Sequence, residues 1–267
     1  MGMIINTNIS ALSSAKHLQK SQANLDKSLA RLSSGSKITD ASDDAGGSAV
    51  SMKIDAQVKR LNAVKANVGN AISFTQAQDG YLRDIGSALN RMGELALLAL
   101  DQTKTDVDRT FYDSEYGRLA ETVIDSASKG WNGIKLFSPN PLVVTSDAEG
   151  ATFNIAGIDL TDIMVDIGGN IGSLAPAGIA LGNIKDAIAI IASNRATAGA
   201  NQALLYSVSE QILVTSENLV ATSSRIQDVD VADEAAAFAK FNILMQSGTS
   251  MLAQANQLPT NALSLLQ

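Results

Sequence analysis

The sequence predicts a mainly α fold: an elongated antiparallel helical bundle or coiled coil, with paired terminal helices and a small central β-hairpin excursion. Three observations predict it. The four prolines (Pro139, Pro141, Pro176 and Pro259) fall in the middle or at the extreme end, so residues 1–138 and 177–258 are proline-free. Both long stretches repeat apolar residues at helical spacing, and only the segment between them carries short β-prone runs. Aromatic residues are 4% of a chain that is 45% hydrophobic, so the apolar mass is Ala, Leu, Ile and Val. Such side chains suit helix–helix packing better than a compact globular core.

Taken in order, Ala11, Leu18, Leu25 and Leu32 repeat at seven, and Ala15, Gln22 and Leu29 fill the alternate heptad position. Ile5, Ile9 and Leu12 extend the stripe after a phase shift, which predicts one amphipathic helix over about 5–33. Ser33 to Ser36 stop it, and Lys37 to Gly47 form a polar connector. Asp43 and Asp44 read as helix-capping carboxylates, because the D-x-D-x-D-G loop of a calcium site is lacking. From Ser48 to Leu100 the pattern is helical again, through Ile54, Val58, Leu61, Val68, Ile72, Leu82, Ile85, Leu89, Met92, Ala96 and Ala99. Unbroken, this helix would measure about 80 Å. Thr105 and Asp108 have the spacing of a capping box, with Tyr112, Tyr116, Leu119 and Val123 turned inward and Gly130 as the stop. Trp131 precedes Asn132-Gly133, a tight-turn signal, and should pack at that turn.

Leu142 to Thr145, Thr152 to Ile155 and Ile163 to Ile167 read as short strands, with turns at Asp147–Gly150 and Ala156-Gly157. Residues 142–170 lack helical periodicity and are expected to face solvent and tolerate change. The helical phase returns from Ile184, and Leu205, Val208, Ile212, Thr215, Leu219, Thr222 and Ile226 hold it. Asp228 to Asp233 make an acidic break. In the final helix Phe238, Phe241, Met245, Gly248, Leu252 and Ala255 are spaced 3, 4, 3, 4, 3, and a second register runs through Ala237, Leu244, Met251 and Leu258. That stripe is wider than one partner helix needs. Lys240 is the one charge from Ala235 onward, so the helix must be covered on several sides. Residues 1–40 carry a net +3 and residues 225–267 a net −2, which suits the two ends to each other.

Chemistry is scarce. His17 is the single histidine and there is no cysteine, so histidine triads, thiol nucleophiles and zinc clusters are excluded. No phosphate-binding glycine motif occurs. The expectation is a chain with no catalytic, cofactor or metal site. The net charge of −7 argues against a nucleic-acid partner. Polar Gln246, Ser247, Ser250, Gln254, Asn256 and Gln257 break up the terminal helix, which argues against membrane insertion. Met1 to Ser14 lack Lys and Arg, so no cleaved secretory signal is predicted.

Several motifs carry a family resemblance. Ile5 to Asn8, Arg31 to Ile38, and Asp43 to Gly47 form one set near the start. Gln78 to Leu82, Arg91 to Ala96 and Trp131 to Leu136 follow, then Ser224 to Asp228 and Gly248 to Gln257 near the end. Together they resemble a bacterial flagellin, a short form with a reduced centre. Ser36, Gly46 and Trp131 depart from the family's usual bulky apolar residue, Ala and Phe. The resemblance implies a structural, non-enzymatic subunit that polymerises with itself into the helical, tubular filament used for swimming, secreted and extracellular.

It further implies a division of the chain. Residues 1–40 would be an inner-tube helix and connector pairing with 230–267. Residues 41–138 and 178–229 would be the two arms of the outer tube, and 139–177 a β-rich surface excursion. Inner-tube assembly would rest on Ile5, Ile9, Leu12, Leu18, Leu25, Leu29, Leu32, Phe238, Phe241, Leu244, Met245, Met251, Leu252 and Leu258. By the same resemblance an export chaperone binds the C-terminal helix from Phe238 onward, and the filament cap and hook-associated proteins are partners. Animal receptor recognition would map to Arg91 and Leu95, although Gly93 stands where the family has an arginine, and Ser114, with Glu115 beside it, where a glutamate is expected. The alternative is the hook–filament junction protein of the same superfamily, which shares the N-terminal motifs; the C-terminal motifs favour a flagellin.

Overall fold

The computed structural model describes residues 8–264, without the side chains of 165–166 and 258–264. The fold is mainly α. In chain order the elements are α1 (Ile9–Ser34), α2 (Ala45–Ala99), α3 (Asp106–Ala127), β1 (Gly130–Trp131), β2 (Ile134–Lys135), β3 (Leu142–Thr145), β4 (Thr152–Ile155), α4 (Thr161–Asp166), α5 (Leu174–Gln227) and α6 (Val231–Ser264). They form two compact units, one of Met1–Ala56 with Asn218–Gln267, the other of Gln57–Glu217.

The second unit holds the main core. α2 runs unbroken through Gly80, as its apolar repeat predicts, and α5 lies antiparallel beside it. Asp79 pairs with Arg195 at 3.0 Å, Gln202 donates to the Thr75 carbonyl at 3.2 Å, and Gln76 donates to Tyr206 at 3.0 Å. Partner numbers fall from 202 and 206 opposite Thr75 and Gln76 to 195 opposite Asp79, and Gly93 lies against Ile184. α3 returns along α2, with Tyr116 and Val123 buried and Tyr112 and Leu119 packed against the cluster. Its capping box forms as the spacing predicts, with Thr105 and Asp108 bonding reciprocally. Arg109 closes the preceding turn. Its Nε donates to the Ala99 carbonyl at 2.7 Å and its Nη2 to the Asp101 carbonyl at 2.9 Å, satisfying acceptors at the end of α2.

β1 and β2 form a two-residue hairpin at the predicted turn, where Asn132 and Gly133 take φ of 49° and 82°. β3 and β4 pair antiparallel with Leu142 opposite Ile155. Two expectations for the centre are corrected. Ile163 to Ile167 form a helical turn, α4, rather than a strand. Ile163 and Ile167 sit four apart and are both buried, a helical spacing hidden in a β-branched run. Nor is 142–170 a purely solvent-facing segment. Val144, Ile155, Ile158 and Leu160 are also buried, and the Tyr116 hydroxyl donates to the Ile167 carbonyl at 3.3 Å. The helical arm also starts earlier than residue 178. α5 begins at Leu174, with Pro176 in its first turn, where a backbone N–H has no intrahelical partner to lose.

α5 is the one described helix long and apolar enough to match a membrane span by composition. Its Ala177, Ala180, Ile184, Ala187, Ile191 and Ala198 instead belong to this core.

Candidate functional site

The first unit is built on the pairing of α1 and α6. Asn8 caps α1, its Oδ1 accepting from the Ala11 N–H at 3.0 Å, while its Nδ2 donates to the Ala255 carbonyl at 2.7 Å. Further along, Leu18 faces Gly248, Arg31 faces Glu234 at 3.6 Å, and Ser36 bridges to Asp228. These contacts fix one antiparallel register from end to end. At Gly248 the two helices pack closely, with Leu18 lying against the glycine. A Cβ on residue 248 would lie 3.1 Å from Leu18 Cδ1, so glycine lets the helices meet there.

The strand-like connector anchors the pair. Lys37 N–H donates to the Gln227 carbonyl at 2.7 Å, and Val229 N–H to the Gly35 carbonyl at 3.0 Å. The two carboxylates predicted to cap divide their work. Asp44 does cap α2, accepting from the Gly47 N–H at 2.8 Å. Asp43 instead pairs with Lys27 at 2.6 Å and more loosely with Arg31 at 3.8 Å. The Lys27 hydrogen bond holds the Asp43 carboxyl below the usual carboxylate range. At the start of α2 and the end of α5, Ser51 and Ser223 meet at 3.3 Å. Ser223 donates to Asp55 at 2.9 Å and Ser51 to Gln227 at 3.0 Å.

The pair covers only part of its apolar surface. Leu18, Leu25, Leu32, Phe238, Phe241, Met245 and Leu252 are half-buried along the seam. Within the pair Ser28 and Ala255 are the only residues fully buried among those described. Ile9, Leu12, Leu29, Leu244 and Met251 remain exposed, Ile9 at 66% and Met251 at 63%. Ile5 and the Leu258 side chain lie outside what is described. Four residues escaped the sequence reading: Ser28 in the seam, the Arg31–Glu234 pair across it, and exposed Ile243. Antiparallel register would have found Arg31 and Glu234; a buried serine gives no apolar signal.

Arg91 is exposed and bonds Glu115 at 2.8 Å and Glu94 at 2.9 Å. Leu95, by contrast, is 1% exposed and packs in the core of the second unit. No cluster of metal-ligating side chains occurs among the described residues.

The bacterial flagellin N-terminal helical region matches residues 5–140, and the bacterial flagellin C-terminal helical region matches residues 181–266. The chain belongs to the bacterial flagellin family. Flagellin relatives match it along its whole length. The flagellar filament 33 kDa core protein of Treponema phagedenis is 33% identical, covering 99% of this chain and 100% of its own. Flagellin FlaB2 of Treponema pallidum is 34% identical with the same coverage. The crystal structure of Bacillus cereus flagellin superposes with a TM-score of 0.51 at 26% identity, over 55% of this chain and 88% of that one. This flagellin is therefore a structural subunit of the flagellar filament, in a family of structural proteins rather than enzymes.

Proposed function

We propose that copies of this flagellin meet through α1 and α6, which line the inner tube of the filament. The observation that carries this is the uncovered apolar surface of the pair: Ile9, Leu12, Leu29, Leu244 and Met251 stand exposed beside a seam that is itself only half-buried. Each such side chain gains roughly 1.5–3 kcal/mol when taken fully out of water. Ordering the backbone costs roughly 1–2 kcal/mol per residue, so a half-covered pair is marginal alone and gains most when neighbours surround it. An interface between different patches of identical subunits propagates as an open helix when its rotation does not close into a ring.

The finer partners follow the family resemblance. The subunit is secreted and assembles outside the cell, an export chaperone takes the α6 surface before assembly, and the filament cap and hook-associated proteins contact the growing polymer. A receptor contact in the α2 region would rest on Arg91 with Glu115, because Leu95 is packed inside.

Removing Phe238–Gln267 tests the reading. Circular dichroism should show a soluble, largely helical protein, since the 57–217 core is complete without α6. Light scattering with added filament seeds should show no growth. Ordinary filaments grown from the truncated chain would refute the assembly role of α6.

A further inference from the structure

The chain has seven methionines and no cysteine, so thioethers are the only sulfur that a mild oxidant meets. The fold separates the methionines it describes. Met92 is wholly buried, and Met164 packs against the core of the 57–217 unit. Met245 is half-buried in the α1–α6 seam. Among the described residues only Met52, at 73%, and Met251, at 63%, are exposed methionines.

These two differ in where they stand. Met52 lies on α2, outside the terminal pair. Met251 belongs to the uncovered surface of α6, seven residues from exposed Leu244 and on the same side of the helix. Its neighbours one turn away are Ser247, Gly248, Gln254 and Ala255. Three of these have side chains too short to screen the sulfur, so α6 itself leaves the thioether open.

A thioether is apolar and pliable, whereas its sulfoxide is polar and carries a strong acceptor oxygen. In the lone subunit that oxygen stays hydrated. The exposed residues that share the surface, Ile9, Leu12, Leu29 and Leu244, have no side-chain donor to offer it. An acceptor buried there without a donor opposes association. We propose that Met251 is an oxidation site that controls assembly: a hydroperoxide converts it to the sulfoxide in the free subunit, and the oxidised α6 cannot join the polymer. One oxygen atom passes from the peroxide to Sδ, the sulfur loses two electrons, and hydrogen peroxide leaves as water. The fold is untouched, because Met92 is out of reach. The proposal rests on the reading that α1 and α6 are the assembly surface.

Free subunits treated with hydrogen peroxide, mapped by peptide mass spectrometry and added to filament seeds, provide the test. One added oxygen is expected at Met251 and at Met52, with unchanged circular dichroism and seeded growth slowed about tenfold or more. Met251→Leu, compared with its own untreated growth, should resist peroxide, and Met52→Leu should not. The unmodified protein decides independently of any variant. After partial oxidation, grown filaments should hold far less Met251 sulfoxide than the remaining free subunits, while Met52 sulfoxide enters unselected. Equal Met251 sulfoxide in the two pools, or a Met251→Leu protein as sensitive as its parent, overturns the proposal and leaves the α1–α6 reading intact. Peroxide applied to finished filaments tests that reading separately: Met251 oxidised as fast there as in free subunits would refute both.

Discussion

The α1–α6 pair and the core of the 57–217 unit are both made of antiparallel helices, yet they finish their packing differently. In the core, Leu82, Ile85, Leu89, Met92 and Tyr116 are wholly shielded within the single chain. In the pair, Phe238, Phe241 and Met245 remain half-open and Met251 is largely exposed. The core is covered within the single chain, whereas the pair leaves apolar side chains uncovered, as the proposed assembly interface requires. The same chemical change should therefore register as lost stability in one region and as lost assembly in the other.

Leu89→Ala breaks the comparison from the core side and should have the largest effect. A fully buried leucine truncated in a packed core costs about 2–5 kcal/mol, read as a lower urea midpoint of the monomer. Met251→Ala, on an exposed position of α6, should change monomer stability by less than about 0.5 kcal/mol while raising the protein concentration needed for seeded growth. Arg109→Ala comes next. It strips the buried donor from the carbonyls at the end of α2 and should cost about 1–3 kcal/mol, again in monomer unfolding.

Gly248→Leu sharpens the comparison from the other side. A side chain there must displace Leu18, so α1 and α6 separate locally. Monomer unfolding should fall by about 1 kcal/mol or less, because the pair contributes little to the lone subunit, while seeded growth slows markedly. The smallest effect is that of pH. The Asp43 carboxyl is held below its ordinary value, first by its hydrogen bond to Lys27. Its contribution to folding is therefore full above the unfolded carboxylate value near about 4 and is lost as pH falls through the lower folded value. Asp43→Asn should remove that part of the acid dependence, seen by comparing α1 helicity on acid titration of both proteins.

Much of the fold could be read from residues because periodicity reports it directly. The heptads of α1, the repeat of α2 across Gly80 and the Thr105–Asp108 box all mark their own elements. The wide stripe of α6 likewise matches apolar surface, Leu244 and Met251 among it, that stays exposed in the single chain. What stayed hidden depends on contacts far apart in sequence. Ile163 and Ile167 look like a strand until their four-residue spacing meets the α3 surface at Tyr116. Asp43 and Asp44 are chemically alike, and only the approach of Lys27 separates the ion pair from the cap. Buried Ser28, Ser51 and Ser223 have no apolar signature. Leu95 shares a helical motif with Arg91, but their positions on α2 send one to the core and the other to solvent.

Amide hydrogen exchange, followed in the monomer and in the assembled filament, tests the difference between the two regions most directly. In the monomer, α1 and α6 should exchange at least tenfold faster than α2 and α5 between residues 57 and 217. In the filament, protection of α1 and α6 should rise a hundredfold or more, while the core changes little. Equal protection of the two regions in the monomer, or no gain in α1 and α6 on assembly, would contradict the account that the terminal pair is completed only by other copies of the chain.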